Sequence, residues 1–325
     1  MILLKSFLHV NAGNLAEAQS LLSQYAGKAM VLAGGTDVLS IYKDDYLPTL
    51  PQVLVNIKSI SGLDYIKVEQ SVLKIGALTP IFEVQRSSVV ATGYPAIIQA
   101  TSDKPPALAS MATVAGNLCQ GVRCWYYRNK LFNCIAKGGA TCYASQGQNE
   151  YYHSIFGSLG GCYATNPSDL APVLIAMGGG VVTTARTLSL EDLYKITTPT
   201  QATTLANDEI ITEIDVPTLA AGTTSSFLKL AIRNAIDFAL ASVAVSLTIS
   251  GGTCSAAKIC MNGVSRTPQR SSGAENALIG NAVNSTTAAN AAAAAVQGAT
   301  AMTGNSWKVA ATKTLVSKAI LACIS

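Results

Sequence analysis

The sequence predicts an α+β fold in which two small α/β subdomains are followed by an antiparallel sheet backed by helices. Three observations predict it. Short apolar strands alternate with a helical pattern in the first sixty residues. A longer region of mixed strand and helix patterns runs to residue 217. Past a small polar stretch come two long β-rich runs and then two helical ones.

Taken in order, NLAEAQSLLSQYA (14–26) places apolar residues at helical spacing, with Asn14 as its cap. MVLAGG is a short buried strand running into a glycine turn, and VLVNIK is a second strand. Together they make a βαβ unit over 1–60. The region 61–217 holds a strand at SVLKIGAL and a helix at PAIIQATS, and an irregular cysteine-rich segment at about 119–162 lies inside it. TLAAGTTSS (218–226) is small, polar and flexible, which marks a domain boundary. In the C-terminal domain, 222–325, LASVAVSLTI and SAAKICMNGV are strands, and AANAAAAAVQGA and TKTLVSKAILACI are helices. The alanine run at 291–295 fits a packed helix, because alanine has the best helix propensity and allows close approach.

Charged residues make up only 12 % of the chain, about half the usual share. This points to surface covered by partner subunits. A net charge of +4 without a basic run argues against nucleic acid. The N-terminal apolar stretch is interrupted by Lys5 and His9 and is no signal peptide. No run of about 18 apolar residues spans a bilayer. The expected address is the cytoplasm, where thiols stay reduced.

Eight cysteines then need a reason other than disulfides. Five of them (Cys119, Cys124, Cys134, Cys142 and Cys162) fall within 44 residues, where random placement would put about one. Thiolates bind iron–sulfur clusters, four at a time, and KGGATCYASQGQNE cannot build a core of its own. Structural zinc and clustering by chance remain open, although no CxxC pair is present. Cys254, Cys260 and Cys323 sit in apolar patterns and read as ordinary buried residues.

AGGTD (33–37) follows a strand, and its glycines let main-chain N–H groups approach a pyrophosphate. It is not the G-x-G-x-x-G fingerprint. TVAGN (113–117) is a second small-residue turn, with Thr113 and Asn117 as polar handles. In NPSDLAP, Asp169 stands where a helix cap would, with ligand contact as the alternative. Lys229, Arg233 and Asp237 lie among apolar residues further on. A loop histidine such as His153 is usually a surface or hydrogen-bonding residue. No nucleophile–base pair or paired carboxylates are visible, so the expected chemistry is redox.

AGGTD, TVAGNL, PSDLAP and FLKLAIRNAIDFALASVAV follow one another in an order that resembles the flavin subunit of molybdenum hydroxylases. That family includes xanthine dehydrogenases, carbon monoxide dehydrogenases and 4-hydroxybenzoyl-CoA reductases. The resemblance spans nearly the whole chain and implies an FAD-binding fold of the PCMH/vanillyl-alcohol-oxidase type. It implies FAD held by two turns, at Ala33, Gly34, Gly35, Thr36 and Asp37, and at Thr113, Val114, Ala115, Gly116 and Asn117. Ala115 departs from the glycine usual there. It also implies Asp169 at the flavin's polyol or phosphate region, Lys229 near its ring, and Ile211 beside the isoalloxazine.

The cysteine segment resembles that of the 4-hydroxybenzoyl-CoA reductase flavin subunit, which holds a 4Fe–4S cluster. RCWYYR matches the context of its first ligand, which selects Cys124, then Cys134, Cys142 and Cys162, with Cys119 in reserve. The implied partners are a molybdopterin-binding large subunit, a 2Fe–2S small subunit, and NAD or ferredoxin. Purines lead the implied substrates, ahead of aromatic acyl-CoA thioesters and N-heterocycles. A standalone flavoprotein oxidase and a zinc-stabilised scaffold without flavin are the rival readings.

Overall fold

The computed structural model describes residues 5–233 and 235–324. Leu8–Asn11 (β1), Ala29–Leu32 (β2) and Val53–Asn56 (β3) form a parallel sheet in the order β1-β3-β2. Parallel neighbours need crossovers, and the helices Leu15–Gln24 and Val38–Asp44 provide them. The first begins as expected, with the Asn14 side chain accepting the Glu17 N–H at 2.9 Å. The second helix carries no sequence-level signal and was not anticipated. Along β3, Val53 and Val55 pack on Leu22 while Leu54 packs with Tyr42 and Tyr46 on the other face. Such two-sided burial is typical of a parallel sheet.

Ile66–Glu69 (β4), Val72–Gly76 (β5), Gly180–Thr183 (β6), Thr187–Ser189 (β7) and Ile211–Pro217 (β8) form an antiparallel sheet ordered β4-β5-β8-β6-β7. SVLKIGAL and IITEIDVP supply its central pair, β5 and β8. Everything between β5 and β6 leaves the sheet. That excursion includes the helices Pro95–Thr101, Val114–Cys119 and Leu170–Ala176 and the whole cysteine segment.

Thr223–Leu230 (β9), Ala241–Ser250 (β10), Thr253–Asn262 (β11) and Gln269–Arg270 (β12) make a second antiparallel sheet ordered β12-β11-β10-β9. Val243, Val245 and Leu247 point to the helices Ser272–Leu278, Ser285–Ala295 and Trp307–Leu321. Each contributes about 2 kcal/mol by leaving water. Ala244 and Cys260 face the opposite way, into the core around the helix Leu170–Ala176. The alanine run is a helix capped by Asn284, and Ala288, Ala291, Ala292 and Ala295 are buried against its neighbours. Of the stretch expected to be flexible, 218–226, only residues 218–222 lie outside the regular elements. Gly222 turns at φ +76° and Thr223 already begins β9. No helix among the described residues is long and apolar enough to cross a membrane.

Candidate functional site

The two small-residue turns meet. A Cβ on Gly34 would lie 1.9 Å from the Met111 carbonyl oxygen, so the two backbones touch and only glycine fits. Gly35 takes φ +77° and directs the chain into the helix Val38–Asp44. Among the described residues, the amides of Gly34, Gly35 and Thr36 donate no hydrogen bond, so three N–H groups stay available to an acceptor. They edge a cleft of about 540 Å³ walled by Ala33–Asp37, by Thr113, Ala115 and Gly116, and by residues from 200 to 211, including Ile211. That size suits a large organic cofactor.

The second turn differs from expectation. Val114 N–H donates to Thr79, Ala115 N–H to Ala77 and Asn117 N–H to Thr113, all to main-chain oxygens, while Gly116 N–H donates to Thr113 Oγ1. These amides are engaged because the turn is docked against β5 and starts a helix. Val114 is buried in the core and does not line the cleft. The turn offers the cleft a bare surface at Ala115 and Gly116 in place of free donors.

Asp37 also takes an unexpected part. Its carboxylate accepts the Gly121 N–H at 2.8 Å and pairs with Arg123 at 2.8 Å and Arg128 at 2.9 Å. Burial pushes its pKa up, but the two guanidiniums outweigh burial and hold it below the usual carboxylate value. Arg128 further donates to Ser40 Oγ and the Val122 carbonyl. Arg123 lies 4.1 Å over the Phe238 ring. Asp37 therefore ties the first turn to the root of the cysteine segment.

Beside the cleft, and sharing Thr36, Asp37, Gly116 and Gln120 with it, is a smaller cavity of about 100 Å³. Asp103, Lys104, Asn117, Arg123 and Asp169 line it. Asp169 stands at the helix start but caps nothing; Ser168 Oγ accepts the Ala171 N–H instead. The cap reading fails because Lys104 at 2.7 Å and Lys229 at 2.9 Å both draw the Asp169 carboxylate away. Both lysines also pair with Asp103, so two cations and two anions alternate in one buried network. For Lys104, burial lowers the pKa, yet Asp169 and Asp103 carry it above the ordinary lysine value. Among the described residues Asp169 Oδ1 has no hydrogen-bond partner, leaving one buried acceptor for a hydroxyl or N–H of a bound molecule. Lys229 reaches this network from β9 and lines neither cavity, whereas Lys104 lines the smaller one. Lys104 follows an unremarkable TSD triplet and carried no signal.

The cysteine segment folds into a pocket of its own. Cys124, Cys134 and Cys162 are buried together with Val122, Ala136 and Ala164. Cys142 is half-buried and close enough for its charge to act on Cys134 and Cys162. Main-chain N–H groups face each buried sulfur: those of Tyr127 and Tyr126 at Cys124, Ala136 and Lys137 at Cys134, and Ala164 at Cys162. Burial pushes the Cys124 thiol up to about 12, and raises Cys134 and Cys162 as well. Cys119 lies apart at the end of its helix and lines the cleft, so the structure gives no support to its reserve role. Cys254, Cys260 and Cys323 are buried, as expected. Among the described residues, no three His, Cys, Asp or Glu side chains are placed to hold a metal ion.

Comparison with known proteins gives this geometry its context. Residues 5–219 match the model of the FAD binding domain in molybdopterin dehydrogenase, and residues 226–322 match the CO dehydrogenase flavoprotein C-terminal domain. The chain belongs to this family. It is an FAD-binding subunit of the molybdenum hydroxylase type, and its relatives are oxidoreductases. It is 29 % identical to the aldehyde oxidoreductase FAD-binding subunit PaoB of Escherichia coli, over 85 % of this chain and 86 % of that one. It is 27 % identical to the carbon monoxide dehydrogenase medium chain of Afipia carboxidovorans, over 86 % of this chain and 82 % of that one. Among solved structures, a carbon monoxide dehydrogenase from Hydrogenophaga pseudoflava that lacks the Mo-pyranopterin moiety superposes with a TM-score of 0.77 at 26 % identity. That match covers 99 % of this chain and 98 % of the other. The fold expected from the sequence, an FAD-binding part followed by an antiparallel sheet with helices, is the fold of this family.

Proposed function

We propose that this flavin subunit works in a complex with a molybdopterin-binding large subunit and a 2Fe–2S small subunit. In this reading it passes electrons between them and NAD or ferredoxin, by way of FAD and a 4Fe–4S cluster. The observation that carries the reading is covalent adjacency. Arg123 lines the small cavity, and the next residue, Cys124, enters the cysteine pocket. Relatives named as a medium chain and as a complex subunit support the assembly. Relatives named for aldehyde, nicotinate and carbon monoxide differ in substrate, which fits substrate contacts on another subunit.

The residues suit both groups. The free amides of Gly34, Gly35 and Thr36 would hold the FAD pyrophosphate, with Thr113, Ala115, Gly116 and Asn117 beside it. Asp37 would brace that turn. Asp169, with its unpartnered oxygen, would take a polyol hydroxyl, and Ile211 would lie against the ring. Lys229 would act through Asp169 and Asp103. Bound FAD supplies both one- and two-electron exchange.

Cys124, Cys134, Cys142 and Cys162 would hold the cluster, which supplies one-electron exchange. A single ion needs its sulfurs about 2.3 Å from one point. Four thiolates are the donor set that such a cluster would take. The inward-facing amides favour thiolates, and a bound cation would relieve the burial that now opposes their charge. The localisation we propose is cytoplasmic, where such thiols stay reduced.

Anaerobic purification of the chain with its partners tests the reading. Flavin absorbance with about four irons per flavin chain is expected. Flavin without iron would remove the cluster, zinc in its place would favour a structural site, and a colourless product would overturn the whole proposal.

A further inference from the structure

His153 is the one histidine inside the cysteine segment, and it is completely buried. Its Nε2 lies 3.2 Å from Cys124 Sγ. The ring is held on several sides. Trp125 packs edge-on at 5.4 Å, and Tyr126 lies at 6.4 Å. Its carbonyl accepts Lys308 Nζ at 2.8 Å and Asn305 Nδ2 at 3.2 Å. Lys308 is itself fully buried and donates also to the carbonyls of Tyr151 and Gly263. The imidazole is thus aimed at the sulfur by three elements far apart in sequence. Among the described residues His153 Nδ1 makes no well-formed hydrogen bond; the polar groups placed at the ring are Cys124 Sγ and the main chain of Asn149.

We propose that His153 is a positioning residue that donates its Nε2–H to the Cys124 thiolate and thereby makes the four-cysteine centre easier to reduce. The proposal rests on the cluster reading given above. An iron-bound thiolate carries lone pairs and no proton, so at this contact nitrogen must be the donor. A donor on a ligand sulfur withdraws electron density from the metal side and stabilises the added charge when the centre takes up one electron. No bond would form or break in that step, and FAD bound to the same chain would supply the electron. Complete burial keeps water from competing for the sulfur and makes the single N–H count.

The test uses the assembled complex, purified anaerobically, with iron content, flavin content and an EPR-monitored potential titration as readouts. His153→Phe keeps a ring and removes the donor; His153→Gln restores an N–H. The expected result is unchanged iron and flavin in both variants. His153→Phe should show a reduction equilibrium about tenfold less favourable, a midpoint about 59 mV lower, and His153→Gln should recover most of it. Retained iron with an unmoved midpoint in His153→Phe would sink the role of His153 and leave the cluster reading intact. Iron absent from the wild type would sink the cluster reading first. If His153→Phe fails to assemble, His153→Asn, whose amide is too short to reach the sulfur, takes its place against His153→Gln. Equal midpoints in that pair then count against the proposal.

Discussion

Asp37 is a carboxylate with three partners, and each belongs to a segment more than eighty residues away. Asp37→Asn keeps the shape and leaves Arg123 and Arg128 without their anion. The expected cost is about 3 kcal/mol, measured by urea unfolding. Because the folded carboxyl titrates below its unfolded value of about 3.9, its contribution is complete above that value and is lost as pH falls through the lower folded one. The stability gap between wild type and Asp37→Asn should therefore be full at pH 7 and shrink at pH 3. An equal gap at both pH values would exclude the charge pairing as its cause. Asp169→Asn should weaken flavin retention at least tenfold, read from the absorbance of gel-filtered protein, because Lys104 and Lys229 lose their shared anion. Asp37 and Asp169 were visible in the sequence as parts of motifs. Lys229 was visible as well, but its pairing with Asp169 was not, and Arg123, Arg128 and Lys104 become partners only through folding.

At the scale of elements, Gly34 is where two turns press backbone on backbone. Gly34→Ala drives a methyl into the Met111 carbonyl, an overpacking that costs about 3 kcal/mol and should empty the cleft of flavin. Flavin that stays bound in this variant would show that the turns can part. The long strands β10 and β11 were legible because their β-branched and small residues alternate between two buried faces. The short strands β6 and β7 were not, having three or four residues each and little pattern. The second turn was legible as a motif but misleading in its chemistry. Nothing local shows that its amides would be taken by Thr79 and Ala77.

For the molecule as a whole, Lys308 joins the cysteine segment to the C-terminal sheet and its helices through three carbonyls. Lys308→Met leaves those acceptors unsatisfied at about 1–3 kcal/mol each. It should lower the thermal midpoint and open residues near Tyr151 to hydrogen exchange before the rest. Uniform exchange would show that Lys308 is not a joint. Saturating FAD, at about a hundred times its dissociation constant, should add about 2.7 kcal/mol to stability, seen as a concentration-dependent rise in melting temperature.

The brace at Asp37 reaches beyond stability. Excising the loop that carries Arg123 and Arg128 would strand a half-buried anion at the edge of the larger cleft, without the two guanidiniums that neutralise it. A shortened version of this subunit could not be made by deletion alone; it would have to recode position 37 in the same step. Loss of the cysteine-rich excursion and the identity of residue 37 are therefore coupled through one pair of guanidiniums.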